Sequence, residues 1–315
     1  MKVTGIPGSA ALLLLTLLPV FSSAGQTSRQ GAPVNPPQLK VDVDLVLANV
    51  TVTDSRGRFV QDLPMDRFRI WEDKVEQKIV SFSNEETPLT FGIILDKSGS
   101  MGNSRPSGNA GSPYPTSSLD EARSTAYSCL QNGLREDEYF LVEFSDRPMI
   151  VADFTNDLSR LREKLLFMGA GGRTALWDAI YAGVNKAGQG SHSRKALLVL
   201  TDGLENRSRY TLSELKGILR EQDVRIYGVD REQVQFSSLG TLAAVTGGRI
   251  FRSSDPCREL AADLRNQYVL GYTPSNKAVD GAWRDIRVKL NTSGLPRELS
   301  NLSVRVRAGY YAKSQ

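Results

Sequence analysis

Apolar residues recur along the chain in three successive patterns. Over 41–82 they alternate with polar or small neighbours: Val43, Leu45 and Leu47, then Val50 and Val52, then Phe68-Arg69-Ile70-Trp71. A period of two puts one strand face on a core and leaves the other in water. Ser55-Arg56-Gly57-Arg58 supplies a turn, and 75–82 predicts one further strand. From Leu89 the pattern changes to unbroken apolar runs, 91–95 and 196–201, of the kind buried on both faces of a sheet. Helical spacing covers 119–134, 158–167, 176–187, 212–221, 239–245 and 257–265. Between the helices, 224–229 and 249–252 read as strands. The runs 139–144 and 149–154 flank Ser145-Asp146-Arg147-Pro148 as a hairpin. Strands alternating with helices predict a doubly wound, mostly parallel sheet with helices on both faces. The third block, from Tyr268 to Ala312, returns to period two over 268–272, 283–290 and 302–306.

Neither β block holds enough strands for a stable sandwich alone. The expected architecture is therefore one β-sandwich built from 41–87 and 267–315, with the α/β domain, 88–266, inserted between its halves. Insertion is cheap when a domain's ends lie close together.

The first residues bear on the compartment. Lys2, the apolar run 10–21 and the small residues Ser22-Ser23-Ala24 fit a cleavable signal peptide, 1–24, and 25–40 is a polar, Pro-rich linker. The expected location is secreted, periplasmic or cell envelope, with no transmembrane segment after cleavage. The chain has 39 basic and 35 acidic side chains, scattered without a compact basic run, so nucleic acid is not an expected partner. Cys129 and Cys257 could form one disulfide in an oxidising compartment, yet nothing in their spacing compels it. Cys129 shares a helix turn with Ala126 and Leu130 and reads as a small core residue, and Cys257 opens a helix expected at another depth. Two free thiols are the preferred reading.

Candidate chemistry gathers at the carboxyl ends of the two buried strands. Asp96-Lys97-Ser98-Gly99-Ser100 follows the first, and alternate positions place three oxygen-bearing side chains on one side of a tight loop. Gly169-Ala170-Gly171-Gly172-Arg173-Thr174 offers a threonine hydroxyl ahead of a helix. Thr201-Asp202-Gly203 offers a carboxylate after the second strand. Ligands of open α/β sheets bind at this edge. Oxygen donors carrying few charges suit Mg²⁺, with Mn²⁺ or Ca²⁺ as alternatives.

On these residues the chain resembles the von Willebrand factor A (VWA) family, whose metal-ion-dependent adhesion site has the pattern Asp-x-Ser-x-Ser, then Thr, then Asp. The resemblance covers roughly 88–266. It implies a sheet of strand order 3-2-1-4-5-6, with metal ligation by Asp96, Ser98, Ser100, Thr174 and Asp202. It also implies an open coordination position for a carboxylate from an Asp or Glu of a protein partner. The flanks, Val50-Thr51-Val52-Thr53-Asp54-Ser55-Arg56-Gly57-Arg58, Phe68-Arg69-Ile70-Trp71-Glu72-Asp73, Tyr268-Val269-Leu270-Gly271-Tyr272-Thr273-Pro274 and Ala308-Gly309-Tyr310-Tyr311, look like an exported VWA-related family described mainly from acidobacteria. One departure is the Gly/Ser/Pro-rich insertion 102–118, expected to be mobile.

Other signals fail on their spacing. An EF-hand loop would need Gly at Met101 and Glu at Ser107, and the Gly-rich run lacks the Gly-Lys-Ser/Thr of a phosphate loop. Ser213-Glu214-Leu215-Lys216 has no companion motifs, and His192, the single histidine, lies in a polar stretch expected away from the metal rim. Trp71, Trp177 and Trp283 read as core or sandwich residues. An exported, metal-dependent interaction module is thus expected, and not an enzyme. The alternatives are a structural component of the cell envelope acting without metal control, and a subunit of a chelatase-type ATPase, which the signal peptide disfavours.

Overall fold

The computed structural model describes residues 45–105, 116–202, 205–230, 237–296, 299 and 301–314. The expected signal peptide, the linker and most of the insertion 102–118 lie outside the described residues.

The N-terminal block forms β1 (Val46–Thr53), β2 (Phe68–Glu72), β3 (Val75–Gln77) and β4 (Ile79–Ser83). The α/β block opens with β5 (Leu89–Asp96) and a short pair, β6 (Ser104–Arg105) and β7 (Thr116–Ser117). There follow α1 (Ser118–Gln131), β8 (Glu138–Phe144), β9 (Pro148–Thr155), α2 (Leu158–Leu166) and α3 (Leu176–Gly188). Next come β10 (Arg194–Leu200), α4 (Leu212–Glu221), β11 (Arg225–Val229), α5 (Ser237–Thr246), β12 (Ile250–Phe251) and α6 (Pro256–Arg265). The C-terminal block holds β13 (Tyr268–Tyr272), β14 (Trp283–Leu290), β15 (Ser303–Arg305) and β16 (Gly309–Tyr311).

The central sheet runs β12-β11-β10-β5-β8-β9, parallel except for the edge strand β9. Counted within the domain this is the expected 3-2-1-4-5-6. Every residue of β5 is buried, because helices cover both faces. Phe91, Ile93 and Leu95 share one core layer with Ala126 of α1, Leu161 of α2 and Leu260 of α6. Ile94 lies in the opposite layer with Ile180 and Val184 of α3 and Leu215 of α4. Gly92 lies between these layers, where a Cβ would sit 2.3 Å from Phe140 Cζ and 2.5 Å from Leu197 Cδ2, so only glycine fits. Helix starts carry their own caps: Thr211 and Glu214 form a reciprocal capping box on α4, as Ser117 and Asp120 do on α1.

The two terminal blocks interleave in two four-stranded sheets, β15-β1-β13-β4 and β16-β14-β2-β3. Their inner faces share Val50, Val52, Phe68, Tyr268 and Leu270, with the Phe68 and Tyr268 rings 4.8 Å apart. The α/β domain is inserted in this sandwich. Arg225, at the start of β11, donates to the Asn49 carbonyl and the Thr51 hydroxyl of β1, and Arg305 pairs with the buried Asp263 of α6.

Three expectations need correction. The stretch 75–82 is not one strand: β3 pairs with β2 in one sheet and β4 with β13 in the other, so the chain crosses the sandwich at Lys78. Leu45 and Leu47 lie on the outer side, 43% and 38% exposed, because the buried face of β1 is set by Ala48, Val50 and Val52. Cys129 and Cys257 are bridged, with Cα atoms 4.6 Å apart. The sequence reading placed them at different depths, but α1 packs on α6 and brings both into one buried layer.

Candidate metal centre

Parallel pairing of β5 with β10 ends at Leu95 opposite Leu200, so the loops carrying Asp96 and Asp202 leave the sheet side by side. Asp96 is fully buried. Its Oδ1 accepts from the Ser98 N–H at 2.7 Å and its Oδ2 from the Thr201 hydroxyl at 2.6 Å. Burial pushes the Asp96 carboxyl up to about 6, the hydrogen bonds from Thr201 and Ser98 oppose that, and the charge of Asp202 adds to it. A buried Asp96 carboxyl with the charge of Asp202 beside it forms a place where a cation is favoured.

Ser98 Oγ and Ser100 Oγ lie 3.1 Å apart. Adjacent vertices of an octahedron with metal–oxygen distances of about 2.1 Å are separated by about 3 Å, so the two hydroxyls fit neighbouring positions on one Mg²⁺. Among the described residues no group of three or more His, Cys, Asp or Glu is placed to hold a metal, so any cation here depends on hydroxyl oxygens as well.

The glycine-rich loop is tied to the same place by its backbone. Gly171 N–H donates to the Lys97 carbonyl at 2.7 Å, and Gly99 N–H donates to the Gly172 carbonyl at 3.0 Å. Gly172 has φ +86°, and a Cβ there would meet Asp146 Oδ2 at 2.6 Å, which makes glycine necessary at this turn. Thr174 follows, only 2% exposed, on the rim with Asp96, Ser98, Ser100 and Asp202. The loops carrying all five candidates therefore meet at one end of the sheet. Lys97 turns aside to Glu143 at 2.7 Å, and His192, bonded to the Glu136 carbonyl, sits at the opposite end.

Several residues that shape the rim escaped sequence reasoning. Asn206 clasps Thr174 twice: its Oδ1 accepts from the Thr174 N–H at 3.0 Å and its N–H donates to the Thr174 carbonyl at 3.1 Å. Glu205 Oε2 accepts from the N–H groups of Leu176 and Trp177, at 2.7 and 3.1 Å. It thereby caps α3, whose own N-cap residue Ala175 has no side-chain acceptor. Ser208 Oγ, bonded to Glu205, accepts from Trp177 N–H as well. The only local sign was the polar run Glu205-Asn206-Arg207-Ser208 between a strand and a helix.

A doubly wound sheet with carboxylates and hydroxyls at its switch point is an open α/β fold, and ligands of such folds bind at that edge. Residues 91–205 match the family profile of the von Willebrand factor type A domain. Domains of this type are protein-interaction modules. No curated protein sequence matches the chain. Among solved structures, BatB from Bacteroides thetaiotaomicron is similar at 16% identity, over 56% of this chain and 97% of that chain, with a TM-score of 0.45. The von Willebrand domain of the pilus-tip protein Mfa5 from Porphyromonas gingivalis is similar at 12% identity, over 57% and 94%, with a TM-score of 0.42. The PilB minor pilin from Streptococcus sanguinis is similar at 12% identity, over 57% and 62%, with a TM-score of 0.43. None of these matches bears on the resemblance drawn from the flanks. Among the described residues no helix is long and apolar enough to cross a membrane.

Proposed function

We propose that the chain is an exported, non-enzymatic interaction module that recognises an acidic residue of a protein partner through a divalent cation. Asp96, Ser98, Ser100, Thr174 and Asp202 would hold the cation, Mg²⁺ or a similar hard ion, and the cation would supply the electrophile for the partner's carboxylate. The observation that carries the reading is the pair of serine hydroxyls 3.1 Å apart beside the buried Asp96 carboxyl, with the charge of Asp202 next to it. The chain's own part is positional: Asn206 and the glycine-rich loop present Thr174, and Thr201 orients Asp96. With Asp96 and Asp202 acting partly through water, the three neutral hydroxyls leave the ion most of its charge for the incoming ligand.

One observation favours a second reading, structural assembly without metal control: both Asp96 oxygens already have protein donors, so the loop is held without a cation. Calorimetry separates the two. Titration of Mg²⁺ or Mn²⁺ into the wild-type protein should show one saturable site, and Asp202→Ala should abolish it. Equal heats in both proteins would replace the metal reading with the assembly reading.

A further inference from the structure

Three exposed arginines stand around the rim on three different loops: Arg147, Arg173 and Arg207. Their placement follows from the backbone of Thr174 and Ala175. Arg173 precedes Thr174 directly. Arg207 follows Asn206, whose N–H and side chain both bind Thr174. Arg147 closes the turn whose Ser145 carbonyl accepts from the Ala175 N–H at 2.8 Å. Among the described residues none of the three guanidinium groups has an acidic partner in ion-pair distance. The neighbouring carboxylates are mostly engaged: Glu205 caps α3, and Asp178 holds Arg209. Asp146, exposed beside Gly172, and Asp202 are opposing charges on these loops. With a bound divalent cation offsetting the rim aspartates, three arginines without an acidic partner among the described residues give the rim's outer edge a positive character.

We propose that this rim binds an acidic segment of a protein, in which one carboxylate reaches the metal site and further carboxylates pair with Arg147, Arg173 and Arg207. The proposal rests on the reading of the rim as the recognition surface and adds the class of partner. Arginine forks match planar carboxylates in bidentate geometry. Sulfated polysaccharides are also polyanions, but an apolar shoulder adjoins the rim and favours protein. Phe167, 82% exposed, and Leu166, 60% exposed, end α2 just before the glycine-rich loop. A peptide side chain can cover them, and a sulfated sugar gains little there.

The test is fluorescence anisotropy on the full chain with two labelled peptides of equal length. One holds a single Asp and a Leu among neutral residues, and the other adds several Glu. Wild type should prefer the Glu-rich peptide by about tenfold or more. The combined Arg147→Gln, Arg173→Gln and Arg207→Gln variant should lose that preference, keep its affinity for the single-Asp peptide, and keep wild-type melting and Mg²⁺ heats. Equal affinity of wild type for both peptides overturns the proposal. Heparin binding that is tighter than the peptide's and lost with the arginines also overturns it. Arginine-dependent peptide binding that is unmoved by chelator supports the rim while removing the metal reading.

Discussion

Replacing both cysteines by alanine should cost this protein a large part of its stability. The bridge joins positions 128 apart in sequence, and closing a loop of that length in the unfolded chain corresponds to about 5 kcal/mol at room temperature. Native bridges deliver about 2–5 kcal/mol, and both half-cystines are buried, so packing adds to the loss when the sulfurs go. A loss of about 4 kcal/mol in a chain of this size lowers the melting temperature by roughly 10 °C. The assay is thermal unfolding by circular dichroism of Cys129→Ala/Cys257→Ala against wild type, with intact mass measured before and after reduction. Reduction should add the mass of one hydrogen pair to the wild-type protein. Coincident melting curves, or an unchanged mass, would refute the reasoning.

Glu205→Ala should destabilise the protein by about 1–3 kcal/mol in denaturant titration, because the Leu176 N–H at the start of α3 loses its part-buried acceptor and Trp177 N–H keeps only Ser208. Glu205→Gln should cost less, since its amide oxygen still accepts. Thr174→Ala should weaken carboxylate-peptide binding while leaving melting within a few degrees, as the bonds to Asn206 involve the Thr174 backbone and survive the substitution. Equal peptide affinity of wild type and Thr174→Ala, with and without chelator, would remove this threonine from the recognition surface. A chain ending at Asn266 should aggregate in size-exclusion chromatography. It lacks β13, which sits between β1 and β4, and β14, which sits between β2 and β16, and so uncovers Val50, Val52 and Ile70. A soluble monomer with 45–83 folded would contradict that.

The α/β part was legible because its signals are local and redundant. The apolar runs of β5 and β10 and the amphipathic spacing of α4 each specify an element without reference to anything distant. Asp96 and Asp202 were found because they directly follow such runs. What escaped depends on partners far apart in sequence. Glu205 caps a helix that begins 29 residues earlier, and no pattern within either segment announces that bond. The bridge likewise needs the packing of α1 on α6. The split of 75–82 at Lys78 was hidden because either strand alone keeps the period of two, and only pairing in different sheets reveals the crossing. Leu45 and Leu47 misled for a related reason: leucine on an outer strand face looks the same as leucine on an inner one.

The register of the sandwich decides how the molecule carries tension. The domain is entered after β4 and left before β13, and these strands pair antiparallel, Ser83 opposite Val269, so both connections emerge at the same end of one sheet. β1 pairs with β13 from Val46 opposite Tyr272 to Val50 opposite Tyr268, which puts the start of β1 at the other end. A pull between a partner held at the metal rim and the chain ahead of Val46 therefore draws β1 and β13 past each other along their length. All five residue pairs bear that shear together, rather than opening one after another as in a zipper. The inserted domain is itself loaded through two strands at once, β4 and β13, so a force applied at its far rim divides between two connections.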